Sequence, residues 1–378
     1  MKIIVAIDSL KGSLTSIEAG CAIKKGIARA IDAEVIVKPM ADGGEGTMEA
    51  IVEGMGGEMI PAMVEGPFGK PTKACYGYLD SKKMAVIEMA SAAGITLVNQ
   101  NQLDPLFAST YGVGQLILHA IERGARDFII GIGGSATNDG GAGMLSALGF
   151  QFLDQDGAPI ERGAKGLSEI TVIRDDTVNA NLLNCHFKVA CDVTNPLCGM
   201  NGATYIYGPQ KGAKPEQLKI IDTAMEHYAD KTAELTGRSD KGTPGAGAAG
   251  GMGFAFLSYL NADLKPGIDV VMEAVGLDTC LTGADFVVTG EGRLDGQTAM
   301  GKAPVGVAKL AAGKGVKVIA LAGSVTKDAS ACNDQGICAY FPIIPGILTL
   351  EEAMQKETAA ENLQNTAEQV FRLVAAIQ

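Results

Sequence analysis

Short apolar runs alternate with stretches of helical spacing over the first sixty residues. Residues 3–8 (IIVAID) read as a buried strand, and 15–30 carry helical spacing behind a Ser/Thr-rich cap. Residues 34–40 (EVIVKPM) predict a second strand, and 44–54 a second short helix. A β-α-β-α opening closes most naturally as a parallel sheet. Between about 58 and 89 the texture changes to short β-prone runs (YGYL, MAVIEM) broken by Gly-Pro and Asp-Ser turns, as in a partly antiparallel unit. Helical spacing returns at 111–123, then a strand at 127–133, a glycine-rich bend into a helix at 142–148, a strand at 187–193 and a helix near 216–236. From 285 the opening texture resumes, with strands at 285–290, 317–323 and 337–343, a helix at 305–312 and an amphipathic helix from 358 onward. The predicted architecture is α/β. Residues 1–65 and 285–378 form a discontinuous doubly wound parallel-sheet domain, residues 66–284 an inserted mixed α/β domain, and the active site is expected in the cleft between them.

Composition narrows the function classes. The 378 residues are 47% apolar and 20% charged, as a globular core requires. Thirty-one Lys and Arg against 43 Asp and Glu leave a net charge of −12, which argues against nucleic acid as a partner. No apolar run approaches the roughly 18 residues of a membrane span, and the apolar run at the start is too short for a signal peptide. Eight cysteines without a C-x-x-C pair and only three histidines make a Cys/His zinc site improbable and predict reduced, mostly buried thiols. The expected location is the cytoplasm. Fifty glycines, without any collagen period, predict many tight turns and close backbone approaches.

Candidate chemistry collects where predicted strands end in glycines and charges. Asp8-Ser-Leu-Lys11 delivers a carboxylate and a lysine into a turn, although an Asx turn leading into a Ser/Thr cap would use the same residues structurally. Residues 40–47 set Asp42 and Glu45 among glycines, a spot suited to Mg²⁺ or, more blandly, to an acidic helix start. The segment 131–143 (GIGGSATNDGGAG) runs strand, glycine loop, helix; free amides and a helix dipole there would suit a phosphate, and Asp139 a metal. The G-x-G-x-x-G at 245–250 follows no strand and fails as a dinucleotide fingerprint. The G-x-x-x-x-G-K at 296–302 ends in Ala303 and lacks the P-loop hydroxyl. Both remain candidate glycine loops near a phosphate. Asp192 ends a predicted strand beside the 207–213 loop, and Glu291, Arg293 and Asp295 follow another. Many carboxylates, a few lysines, amide-rich loops and no Ser-His-Asp or Cys-His set point to phosphoryl transfer.

The motifs DSLKGSLTS, PMADGGEGT, IEMASAAG, GIGGSATNDGGAG, CDVTNPLCGMNGA, GPQKGA, GAGAAGGMG and GEGRLDGQTAMGK run in order from Asp8 to Lys302. Together they resemble the bacterial glycerate kinases of the type 1 family, with Leu10 standing where Phe is usual. The resemblance implies ATP- and Mg²⁺-dependent phosphorylation of D-glycerate, 2-phosphoglycerate being favoured over 3-phosphoglycerate, and a flavodoxin-like discontinuous domain. Within that frame Asp192 is the favoured proton acceptor and Asp42 the second candidate, with Lys11 and Lys211 as catalytic cations. Asp8, Ser9, Asn195 and Arg293 are expected on the substrate. Gly133, Gly134, Ser135, Thr137, Asn138, Gly247, Gly250 and Lys302 are expected on the nucleotide. Asp42, Glu45 and Asp295 are expected on the metal. A nicotinamide-dependent oxidoreductase of small hydroxy acids and a non-catalytic small-acid binding protein are the competing readings. Oligomeric state is not legible.

Overall fold

The computed structural model describes residues 1–44 and 46–377, so Glu45 lies outside the described residues. Thirteen strands run through them: β1 (Lys2–Ile7), β2 (Glu34–Val37), β3 (Glu58–Glu65), β4 (Pro71–Leu79), β5 (Met84–Glu88), β6 (Asp127–Gly131), β7 (Gln151–Leu153), β8 (Val172–Arg174), β9 (His186–Ala190), β10 (Asp263–Lys265), β11 (Phe286–Leu294), β12 (Lys317–Val325) and β13 (Ile337–Pro342). Two compact units divide the chain. Unit 1 holds Met1–Asp42, Glu49–Gly56 and the chain from Ile268 onward; unit 2 holds Gly43–Met48 and Gly57–Gly267.

Unit 1 is built on a five-stranded, all-parallel sheet in the order β13-β12-β11-β1-β2. Counted within the unit, that order is 2-1-3-4-5, the flavodoxin-like arrangement, with its switch point between β1 and β11. β1 is almost wholly apolar because both of its faces are covered. Its odd positions Ile3, Val5 and Ile7 share a core with Ile23 and Ile27 of helix Ser16–Ala30 and with Leu363 and Phe371 of helix Lys356–Ile377. Thr15 caps the first of these helices in a capping box with Glu18.

Unit 2 carries a six-stranded sheet in the order β10-β9-β6-β5-β4-β3. Four of its strands are parallel, whereas β4 pairs antiparallel with both β5 and β3. The sequence places strand 58–65 in the first domain. It pairs residue for residue with β4, from Glu58 opposite Tyr78 to Glu65 opposite Pro71, so its backbone bonds commit it to unit 2. Residues 268–284, expected in the inserted domain, fall in unit 1. The fully buried aromatics Phe128, Tyr228, Phe254 and Phe256 anchor the unit 2 core.

Candidate active site

At the switch point of unit 1, β1 and β11 run in parallel register with Ile7 opposite Gly290, so Asp8, just past the end of β1, lies next to Glu291, which β11 carries on toward Leu294. The Asp8 amide donates to the Gly290 carbonyl at 3.0 Å, and its carboxylate accepts the Ser9 amide at 2.6 Å. Residues 10–14 then close on themselves, Leu10 and Leu14 exchanging backbone hydrogen bonds and burying their side chains. This tight hairpin projects Lys11 outward. Ser16 fastens the arrangement: its hydroxyl donates to the Ile7 carbonyl at 2.6 Å and accepts the Met40 amide at 2.8 Å, tying the end of β1 to the segment that leads to Asp42.

Asp8, Ser9, Lys11, Asp42, Glu291, Arg293, Asp295 and Lys302 all line one cavity of about 510 Å³. Lys11 Nζ lies 3.5 Å from Asp42 Oδ2. Burial, reinforced by the Asp42 carboxylate, raises the pKa of Asp8 to about 7, against the opposing pull of the Ser9 amide and the Lys11 ammonium. Burial also raises Glu291, although its carboxylate accepts the Thr298 hydroxyl at 2.5 Å. Asp295 is placed differently. Its Oδ1 accepts the amides of Gln297 and Thr298 at 2.9 and 3.2 Å, while Arg293 and Lys302 stand 3.7 and 4.0 Å from its carboxylate. It caps a turn and is flanked by cations, so it suits a metal less well than Asp42 or Glu291. No three carboxylates among the described residues converge closely enough to chelate an ion unaided. Hard oxygen donors are nonetheless plentiful, and Mg²⁺ ordinarily takes one or two carboxylates and completes its shell with water and phosphate oxygens.

In unit 2 the 131–143 loop turns its polar groups inward. Gly134 needs its glycine, with φ +70°, and hands its carbonyl to the Ile95 amide at 2.8 Å. Only Gly133 and Gly134 of the expected nucleotide residues in this loop are exposed. Ser135, Thr137 and Asn138 are buried. Lys211, expected as a catalytic cation, is 1% exposed and donates from beneath to Ser135 Oγ and the Thr137 carbonyl, both at 2.7 Å. Burial lowers its pKa to about 7, with Asp139 pulling the other way. Asn138 Nδ2 donates to Thr204 Oγ1 at 2.9 Å. The helix dipole expected to face a ligand belongs to a helix of six residues, Ala142–Ala147, and its start is already served by the chain itself. Asp139 accepts the amides of Gly141 and Gly143 together with the Thr110 amide and hydroxyl. That internal anion also removes Asp139 from the metal candidates.

The 245–250 glycines serve packing. A Cβ at Gly247 would meet the Pro196 carbonyl oxygen at 2.2 Å, and one at Gly250 the Thr137 carbonyl oxygen at 2.2 Å. Ala249, Gly250 and Gly251 make a left-handed turn laid against the 137–140 backbone, with Gly140 N donating to Gly250 O at 2.9 Å. Asp192 is exposed, and its Oδ1 accepts the Gly267 amide at 2.9 Å. Asn195 spans its own loop, donating to the Asn201 carbonyl at 2.8 Å and accepting the Tyr207 hydroxyl at 2.7 Å.

Comparison with known proteins adds an independent observation. The family model described as the glycerate kinase family matches residues 3–375. The chain belongs to the glycerate kinase family. It is thus a kinase, a phosphotransferase acting on an alcohol group. A glycerate kinase from Bacillus subtilis (strain 168) is 47% identical over 371 residues, covering 98% of this chain and 97% of the relative. A glycerate 2-kinase from Escherichia coli (strain K12) is 45% identical over 356 residues, covering 94% and 93%. A crystal structure from Salmonella typhimurium LT2, described as "putative glycerate kinase 2", superposes with a TM-score of 0.92 at 44% identity, covering 100% of this chain and 98% of that one.

For this glycerate kinase family member, the structure gathers charged candidates from three distant segments into one cavity and leaves Lys211, Asp192 and Asn195 in unit 2. Two features escaped sequence reasoning. Ser16 holds the site together, and the TS pair at 15–16 was its only signal. Ile343, Ile344, Leu350, Ala353 and Met354 also line the cavity, though no motif marks them.

Proposed function

We propose that the protein is an ATP-dependent D-glycerate kinase that releases ADP and yields 2-phosphoglycerate. The observation that carries this reading is the switch-point cavity of unit 1, where Asp8 stands with Lys11, Arg293 and Lys302 on a chain of the glycerate kinase family. The 2-hydroxyl is favoured because the Escherichia coli relative is named a glycerate 2-kinase. The expected compartment is the cytoplasm, where ATP is available.

In the proposed mechanism Asp8 accepts the hydroxyl proton of D-glycerate. A carboxyl with a pKa of about 7 is matched to proton transfer near neutral pH, whereas Asp42 is paired with Lys11 and Asp192 already accepts the Gly267 amide. Ser9, Lys11 and Arg293 orient the substrate carboxylate, and Lys302 adds positive charge for phosphoryl oxygens. Asp42 and Glu291 have the donor chemistry to hold Mg²⁺, which when bound neutralises charge on the phosphoryl oxygens. In unit 2, Lys211 shapes the glycine loop from within.

The test is a coupled assay of ADP release from ATP with D-glycerate, with the product's phosphorus resonance assigned to the 2- or 3-ester. ADP release dependent on D-glycerate is expected. Nicotinamide reduction by hydroxy acids, or glycerate binding without ATP consumption, would replace the proposal with one of its two rivals.

A further inference from the structure

The reaction proposed above, on which this inference rests, uses only the polar part of the unit 1 cavity. The same cavity is lined by Ile343 and Ile344, which follow β13, and by Leu350, Ala353 and Met354 of the short helix Leu350–Met354. Leu350 is 76% exposed and Met354 37%, and Ile347 and Leu348 lie exposed just before them. Large apolar side chains gathered at the rim of one concavity mark a surface that a ligand covers. The patch adjoins the charged groups directly: the Met354 methyl sits so near Gly12 that a Cβ there would come within 2.7 Å of it, and Gly12 follows Lys11 in the hairpin.

D-glycerate cannot be what covers it. A three-carbon acid with oxygen on every carbon has no apolar face to bury, and a cavity of about 510 Å³ falls in the range of roughly 300–1,000 Å³ that holds much larger ligands. A nucleoside triphosphate has both ends. Its base offers a flat apolar face, and its phosphates match Lys302, the cation not used on the acid, while Asp42 and Glu291 suit the magnesium that travels with it. The glycine loop of unit 2 offers little competition for the phosphates, since Asp139 already occupies its helix start.

We infer that the cavity of unit 1 is a nucleoside-triphosphate site in which the Ile343, Ile344, Leu350 and Met354 wall receives the base. The wall thereby selects a nucleotide donor over inorganic polyphosphate.

The experiment is equilibrium titration of the full chain with a fluorescent ADP analogue, alongside calorimetry with D-glycerate, for wild type, Leu350→Asp and Met354→Glu. Both positions are solvent-facing, so thermal melts should match wild type. Leu350→Asp should raise the nucleotide Kd about tenfold or more, because it replaces the apolar contact under the base with a carboxylate. It should also abolish competition by adenosine while leaving competition by tripolyphosphate and the Kd for D-glycerate unchanged. Wild-type nucleotide affinity in both folded variants would overturn the inference. So would a change confined to D-glycerate or to longer hydroxy acids, which would give the wall to the acid substrate. These titrations need no turnover, so a wild-type enzyme that binds nucleotide at the wall but releases no ADP with D-glycerate would sink the kinase reading alone.

Discussion

The cavity of unit 1 and the glycine loop of unit 2 use similar residues for opposite ends. At the cavity, side chains from separate segments stand around open space: Lys11 and Arg293 keep two thirds of their side-chain surface exposed, and Asp8 is held next to Asp42, with the Ser9 amide and Lys11 offsetting the charge. In the loop, Lys211, Asp139 and Ser135 are buried and hydrogen-bonded to one another, to Thr110 or to backbone, and Asn138 is buried with its Nδ2 on the Thr204 hydroxyl. The first arrangement leaves electrostatic interactions unmade until a ligand arrives; the second spends them on backbone shape. A glycine-rich loop with polar side chains is therefore not by itself evidence of an anion site, because its own carboxylate can be the anion.

The sharpest way to break this contrast is Asp8→Asn. Removing the proposed proton acceptor should lower kcat by roughly 10²–10⁴-fold. Stability should move the other way. Asp8 binds its proton more tightly folded, with a pKa of about 7, than unfolded, near 3.8, so its burial costs stability that grows as pH rises from about 4 to about 7. The Asn variant should then melt higher than wild type at pH 8, by roughly 2–4 kcal/mol in unfolding free energy, and match it near pH 4. For wild type, kcat/KM should rise as pH climbs through about 7. Steady-state kinetics and calorimetry at both pH values decide it; normal turnover in the variant would return the role to Asp42 or Asp192.

Next comes Lys211→Ala, which should cost roughly 2–4 kcal/mol in chemical denaturation by stranding Ser135 Oγ and the Thr137 carbonyl without their donor. Wild-type stability in that variant would show the buried ammonium to be dispensable and would erase the difference between the two regions. Lys11→Ala is its mirror. It should leave the denaturation midpoint in place and lower kcat/KM about ten- to a hundredfold, the worth of one charge-assisted contact. A Lys11 variant that unfolds early while keeping wild-type kcat/KM would reverse the assignment.

The smallest effect is expected at Ala249, whose φ of +53° in the left-handed turn strains a side chain that a glycine would not have. Ala249→Gly should stabilise unit 2 by up to about 1 kcal/mol, the relief of strain being partly offset by unfolded-chain entropy. A lowered midpoint would mean that the methyl contributes more through contact than its φ costs.

Much was legible along the chain because it depends on local patterning. The buried run at 3–8, the Ser/Thr cap before the first helix and the β-α alternation at both chain ends are consequences of spacing, and the motifs named the family. Legibility failed where long-range pairing decides. Strand 58–65 shares the β-prone texture of the segment after it, but only its pairing with β4 assigns it to a sheet. The strand at 285 was expected to stop at Gly290 but continues to Leu294, because its neighbour β12 extends alongside it to Val325.

By itself the sequence determined the fold class, the family and the inventory of charged groups, since alternation, turn chemistry and motif order are properties of neighbouring residues. Which of those charges face a ligand was decided only in three dimensions. Lys11 and Lys211 are both lysines beside a glycine, yet one rides a two-stranded hairpin into solvent and the other points beneath a loop contributed by a segment some seventy residues earlier. Desolvation and hydrogen-bond partners come from elements distant in the chain, and they set the pKa, the exposure and hence the role of each group.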